Sequence, residues 1–127
     1  MAGLELITVL ALIEYAIFGL MVGSARGRFG VAAPATTGEP NFERYFRVQQ
    51  NTLEALMVFL PSLWIFAHRV NYATAFVLGL VFIAARAEYA RSYIASAEGR
   101  ALGARVTFAV NAILLVGSIL GLTVHVL

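Results

Sequence analysis

The segment FERYFRVQQNTLEALMVFLPSLWIFA, residues 42–67, changes character halfway along. Its first half carries Glu43, Arg44, Arg47 and Glu54, whereas the thirteen residues Ala55–Ala67 hold no charge. Thirteen helical residues rise about 20 Å at ~1.5 Å each, short of the ~30 Å hydrocarbon core of a bilayer. Residues 73–96 have the reverse order: Ala73–Ala85 is apolar, and Arg86, Glu88, Tyr89, Arg91 and Tyr93 follow. Only HRVNY, residues 68–72, joins the two stretches. A connection that tight sets their apolar halves side by side, and their polar halves must then meet at the other end, partly inside the membrane.

Outside these stretches the chain is as apolar as a membrane protein should be. Of its 127 residues 61% are hydrophobic, well above an ordinary soluble domain. Apolar runs cover about residues 4–24, 45–67, 73–96 and 101–127, each near the ~20 residues that cross a bilayer. The expected fold is therefore all-α and integral to the membrane, an up-and-down bundle of four transmembrane helices at about 4–24, 43–67, 72–96 and 101–127, forming one domain over 1–127. No Arg or Lys precedes the first run and Glu5 stands at its start, so it is expected to be a retained helix rather than a secretion signal. Gly99 in SAEGR, residues 96–100, is the expected stop of the third helix.

Every basic residue is Arg and every acid is Glu, and cysteine is absent, which excludes disulfides, thiolate metal sites and Cys nucleophiles. His68 and His125 have no second ligand at metal spacing, so no metal site is expected. In the up-and-down arrangement Arg26, Arg28, Arg44, Arg47, Arg91, Arg100 and Arg105 share one side of the membrane, and Arg69 lies on the other. The positive-inside rule places the first and third loops in the cytoplasm and the termini outside.

Ionisable groups within a membrane are costly and should face the bundle interior or a wet cavity. Arg47, Asn51 and Glu54 fall at i, i+4 and i+7 on one helix face, with Gln50 beside them; Arg86, Tyr89 and Tyr93 fall at i, i+3 and i+7 on another. One reading has these stripes satisfy each other, Arg47 and Arg86 pairing with Glu54 and Glu88. Against it, the cytoplasmic end holds eight Arg (26, 28, 44, 47, 86, 91, 100, 105) and five Glu (39, 43, 54, 88, 98), a surplus of three positive charges that an anionic ligand would neutralise.

The same residues carry a more specific signal. FERYFRVQQNTLE with FLPSLW, the preceding PATTGEPNFER and the later GLVFIAARAEYARSYIASAEGR together resemble the MAPEG family, membrane-associated proteins of eicosanoid and glutathione metabolism, and most of all its microsomal glutathione transferase and leukotriene C synthase branch. The resemblance runs without gaps from about Ser24 to Arg100. It implies a homotrimer of four-helix subunits with glutathione as co-substrate, bound between subunits near the cytoplasmic face, and a glutathione transferase activity toward a lipophilic electrophile, with peroxidase activity as a related outcome. By that resemblance Arg47 would hold a glutathione carboxylate, Asn51 the peptide groups and Glu54 the ammonium. Tyr89 and Tyr93 would line the pocket, Arg26 and Gln49 would reach it from the adjacent subunit, and Arg100 would be the catalytic residue against the sulfur. Partners are thus glutathione, an electrophile or lipid and other copies of the chain, and no nucleic acid. The sequence departs from the leukotriene synthase pattern at Gly27, where that pattern has a second Arg, and at Ala55, where it has Tyr.

These roles make chemical sense. Glutathione presents two carboxylates and an ammonium, which suit guanidinium groups with a nearby carboxylate. A fixed cation beside a thiol whose free pKa is about 8.5 raises its thiolate fraction. Arg100 precedes the fourth helix, whose N-terminus also favours an anion. The electrophile is expected to come from the lipid past Leu56, Phe59 and Val106.

Two rivals share some of these features. Glu14, mid-span in the first helix, suggests a small multidrug antiporter, although otherwise it would serve at a subunit contact; a lipid-binding, non-catalytic member of the family is the other. Pro61 is expected to bend the second helix, Trp64, Phe66 and Tyr72 to anchor at the membrane interface, Gly117 and Gly121 to pack helices closely, and Asn111 to bond another helix.

Overall fold

The computed structural model describes residues 1–126 as four long helices: α1, Ala2–Phe29; α2, Pro40–Arg69; α3, Tyr72–Ala95; and α4, Ala101–Val126, with a single 3-10 turn, Ala97–Arg100, running into α4. Their ends follow local chemistry. Gly30 closes α1 with φ 71°, ψ 33°, a left-handed conformation that glycine adopts without the Cβ penalty. The Glu39 carboxylate accepts the Phe42 N–H at 2.7 Å and Pro40 takes the first turn of α2, where its missing N–H costs nothing. Only Val70 and Asn71 separate α2 from α3, and the Asn71 side chain caps α3 by accepting the Thr74 N–H at 2.8 Å.

α3 ends differently from expectation. It stops at Ala95 with Ser96 extended, whereas Gly99 sits in the 3-10 turn and makes no left-handed cap. Gly99 is needed for space: a Cβ there would run into the Ser92 carbonyl, so only glycine lets the turn fold back onto α3.

The core lies between the apolar halves of α2 and α3, as their tight junction requires. Phe59 stacks on Phe82 with ring centroids 3.8 Å apart, and Leu4, Ile7, Leu63 and Leu114 close around them, all fully buried. Leu56 is buried beside them, so neither Leu56 nor Phe59 lines a route from lipid, contrary to expectation. Phe66 is no interface anchor either: only 5% exposed, it fills the space left by Gly117. Gly121 lies against Arg69 and Val70, so the two glycines pack α4 on α2 within one chain. Trp64 and Tyr72 pin α1, the indole N–H donating to Thr8 Oγ1 at 3.0 Å and the Leu4 N–H donating to the Tyr72 hydroxyl at 3.2 Å. Pro61 stands inside an uninterrupted α2.

Three of the expected spans, α1, α3 and α4 with its leading turn, are long and apolar enough to cross a membrane. α2, at 30 residues, has the length, but its first half carries Glu43, Arg44, Arg47 and Glu54, of which Arg47 and Glu54 are exposed. Leu6, Val9, Ile13, Ile17 and Leu20 on α1 and Val116, Ile119 and Leu120 on α4 are exposed, an apolar surface for lipid or other subunits to cover.

Candidate functional site

At the charged end of the bundle, α2, α3 and the start of α4 border an open cavity of ≈ 800 Å³, and Arg47, Asn51, Tyr89, Tyr93, Arg100 and Arg105 line it together with Glu98. Helix spacing delivers the first two from α2 and the tyrosines from α3. Arg100 and Arg105 come from the turn and α4, and two glycines set how close those elements lie. Gly103 abuts Tyr89 so closely that a Cβ would stand 2.6 Å from the Tyr89 Cβ and 2.7 Å from its backbone N and Cα. Gly99 does the same against Ser92, one residue before Tyr93. The Arg100 guanidinium thereby stands 5.7 Å from the Tyr93 ring centroid, and Tyr93 meets Tyr89 edge to face at 5.4 Å.

Under this floor lies Arg86, fully buried. Its Nη2 donates to Thr52 Oγ1 at 2.8 Å and to Asn51 Oδ1 at 3.0 Å, its Nη1 donates to Thr107 Oγ1 at 3.3 Å, and its Cζ lies 4.3 Å from the Tyr89 ring centroid. One guanidinium thus orients Asn51 and supports Tyr89, two residues of the cavity wall. Arg44 binds the same end together, donating from Nε to the Ile94 carbonyl at 3.2 Å and from Nη2 to Asn41 Oδ1 at 2.6 Å.

The self-neutralised arrangement is not formed. Glu88 pairs with Arg91 at 2.8 Å on the surface and accepts the Ser92 hydroxyl at 2.6 Å, and this is the one ion pair among the described residues. Arg47, Arg100 and Arg105 therefore face the cavity without a carboxylate paired to them, while Glu98 accepts the Ser96 hydroxyl at 2.6 Å.

The other expected site residues lie elsewhere. Glu54 lines a smaller cavity of ≈ 240 Å³ between α2 and α4, together with Asn51, Ala55, Arg86, Thr107, Phe108 and Asn111. Arg26 braces the first loop, its Nη1 donating to the Ala35 carbonyl at 2.6 Å and its Cζ lying 4.9 Å from the Phe42 ring centroid. The Gln49 amide packs against Gly19 of α1. Neither Arg26 nor Gln49 lines the main cavity of its own chain. The sequence reading missed Arg105 and Glu98 as wall residues and Thr52 and Thr107 as the partners of Arg86. Thr52 and Thr107 could have been sought by asking which neutral acceptors stand at the depth of Arg86, whereas no spacing rule selects Arg105.

A four-helix membrane bundle with an arginine- and tyrosine-lined cavity at one end is the class that fold and site define. The chain belongs to the MAPEG family, whose model matches residues 4–120. It is 37% identical to microsomal glutathione S-transferase 2 of Homo sapiens over 94% of this chain and 81% of that protein. It is 36% identical to leukotriene C4 synthase of Rattus norvegicus over 98% and 83%. An uncharacterized protein of Synechocystis is 44% identical over 92% and 85%.

Proposed function

We propose that the protein is a membrane-bound glutathione transferase that joins the glutathione thiolate to a lipophilic electrophile and also reduces lipid hydroperoxides. The observation that carries this reading is the convergence of Arg47, Arg100 and Arg105 with Tyr89 and Tyr93 in one cavity, unpaired with any carboxylate. Its relatives named as a glutathione transferase and a leukotriene C4 synthase support the same chemistry.

Two carboxylates and an ammonium ask for separated cations and one acid. Arg47 takes a carboxylate, Asn51 the peptide groups, and Glu54, beyond Asn51 in the adjoining cavity, the ammonium. Arg100 stands over the aromatic edge where sulfur would lie and favours thiolate over thiol. The thiol proton leaves to solvent, sulfur forms its bond to the electrophilic carbon, and the leaving group departs with the bonding pair. With a hydroperoxide the products are the alcohol, water and the disulfide of two glutathiones. Arg26 and Gln49 lie on a face apart from their own cavity, as residues serving a neighbour's cavity in a homotrimer would. The arginine bias supports a cytoplasmic position for this end of the bundle.

The test is a glutathione titration of the purified protein, followed calorimetrically and by thiolate absorbance at neutral pH. Saturable binding with thiolate formation is expected. No binding at millimolar glutathione would end the transferase reading.

A further inference from the structure

At the end of the bundle away from the arginine-rich cavity, α2 and α4 border another open cavity, of ≈ 490 Å³, lined by Trp64, Ile65, His68, Arg69 and Leu122. Seventeen helical positions separate Arg105 from Leu122 on α4, a rise of about 25 Å at ~1.5 Å each. The two cavities therefore stand near opposite boundaries of a hydrocarbon layer ~30 Å thick. The transferase chemistry uses none of these five residues.

Arg69 departs from the charge pattern of the chain. Eight of the nine arginines gather at the other end, and the one ion pair among the described residues, Arg91 with Glu88, does not involve it. No carboxylate lines the cavity beside it. Its root is held by α4, because a Cβ on Gly121 would stand 2.9 Å from the Arg69 Cβ and 3.1 Å from its carbonyl oxygen. His68 is held as well. Its Nδ1 lies 2.8 Å from the Trp64 carbonyl oxygen, which can only accept, so Nδ1 carries the proton and Nε2 is the nitrogen left for a ligand. The Trp64 indole gives its N–H to Thr8 Oγ1 and stacks on His68 with ring centroids 6.3 Å apart, so it forms wall and offers no donor. Ile65 and Leu122, 39% and 38% exposed, extend that wall with apolar side chains.

We propose that this cavity binds an anionic phospholipid, its phosphodiester on Arg69 and the start of an acyl chain against Ile65, Leu122 and the Trp64 indole. A guanidinium presents two parallel N–H donors that match the two free oxygens of a phosphodiester. A zwitterionic headgroup brings an ammonium too, which here meets a second cation and no acid. Nε2 of His68 accepts from a hydroxyl, such as a glycerol headgroup carries. Free phosphate satisfies the arginine and leaves the apolar wall uncovered, whereas a lipid fills both parts. The site stands independently of the transferase reading.

Trp64 is the only tryptophan of the chain and lines this cavity, so its fluorescence reports occupancy here and not at the arginine-rich end. The test titrates the detergent-solubilised protein with phosphatidylglycerol and with phosphatidylcholine, each brominated on its acyl chains, since bromine quenches indole on contact. Quenching by phosphatidylglycerol should saturate, with a midpoint at least about threefold lower than that of phosphatidylcholine, as expected for one cation beside an anionic headgroup. Arg69→Gln keeps the stem on which Gly121 packs and should move the phosphatidylglycerol curve onto the phosphatidylcholine curve, whereas Arg91→Gln should keep the preference. Equal midpoints in the wild-type protein, or a preference intact in folded Arg69→Gln, overturns the site and leaves Trp64 as an anchor only. The wild-type comparison decides by itself if Arg69→Gln fails to fold. Millimolar inorganic phosphate should not release brominated phosphatidylglycerol; release would make this a soluble-anion site and overturn the lipid assignment. Brominated stearate quenching at as low a midpoint as phosphatidylglycerol would overturn the phosphodiester in favour of a carboxylate.

Discussion

Arg86 donates to Thr52 twice, from Nε at 3.2 Å and from Nη2 at 2.8 Å, so a fully enclosed guanidinium of α3 is held by a neutral hydroxyl of α2 and not by a carboxylate. Two effects oppose each other here. Desolvating the cation is expensive, and the hydrogen bonds, with the field of the Glu14 carboxylate on α1, return part of that cost. Replacing Arg86 with Met removes both. The orphaned Thr52 and Thr107 hydroxyls can bond back to carbonyls of their own helices. We expect Arg86→Met to change unfolding stability in detergent by no more than about 1–2 kcal/mol, while glutathione affinity falls about tenfold as Asn51 and Tyr89 lose their support. Thermal unfolding beside a glutathione titration checks this. A large stability loss with affinity intact would make Arg86 a structural clamp instead.

One helical turn further, Arg91 pairs with Glu88 at 2.8 Å, but the Arg91 side chain is 74% exposed. Exposed pairs at this spacing contribute under about 1 kcal/mol. Arg91→Gln should therefore leave stability, glutathione affinity and turnover near wild type, in contrast to the Arg86 variant. A marked loss of affinity would place Arg91 in the ligand's field.

The contrast between these two arginines also shows how far the sequence could be read. Spacing put Arg47 with Asn51, and Tyr89 with Tyr93, on faces that do meet at one cavity. The pairing of Glu88 was not legible as one across the bundle, because its local neighbours Arg91 at i+3 and Ser92 at i+4 both bond its carboxylate on the outside of α3. Phe66, Leu56 and Phe59 were misplaced for a more general reason. Lipid is as apolar as a protein core, so hydropathy cannot tell a side chain facing one from a side chain facing the other. Gly99 was recognised as a necessary glycine but for the wrong requirement, since close approach and a left-handed φ leave the same mark in a sequence.

Gly103 offers a direct test of close approach as the device that builds the site. Its missing Cβ lets α4 lie on the Tyr89 backbone, which cannot give way as a flexible side chain would. We expect Gly103→Ala to cost about 1–3 kcal/mol and to weaken glutathione binding, because α4 must move off the wall that carries Arg100 and Arg105. Gly27 is the control, since it is helical in α1 and a Cβ there would meet nothing within 4 Å. Gly27→Ala should be neutral or stabilise by about 0.5–1 kcal/mol. Equal effects in the two variants would sink the steric argument.

Arg100 separates thiolate stabilisation from simple anion binding. It stands at the junction of the 3-10 turn and α4, exposed, with its guanidinium 5.7 Å from the Tyr93 ring centroid, whereas Arg47 enters the cavity from α2. If Arg100 faces sulfur, Arg100→Ala should return the bound thiol toward its free pKa of about 8.5, which raises it. The thiolate fraction at neutral pH then falls, thiolate absorbance is lost, and the rise of kcat with pH shifts to higher pH. We expect kcat at neutral pH to drop about 10- to 100-fold, in line with removing one charge-stabilising group, while the glutathione Kd changes less than about threefold. Arg47→Ala should do the reverse, weakening binding with little effect on the pH profile. Arg100→Lys keeps the charge and should recover part of the loss. Equal losses in binding and turnover for Arg100→Ala, with an unshifted pH profile, would assign Arg100 to a glutathione carboxylate and leave the thiolate to the tyrosines, a result that Tyr93→Phe would then have to reproduce in the pH profile.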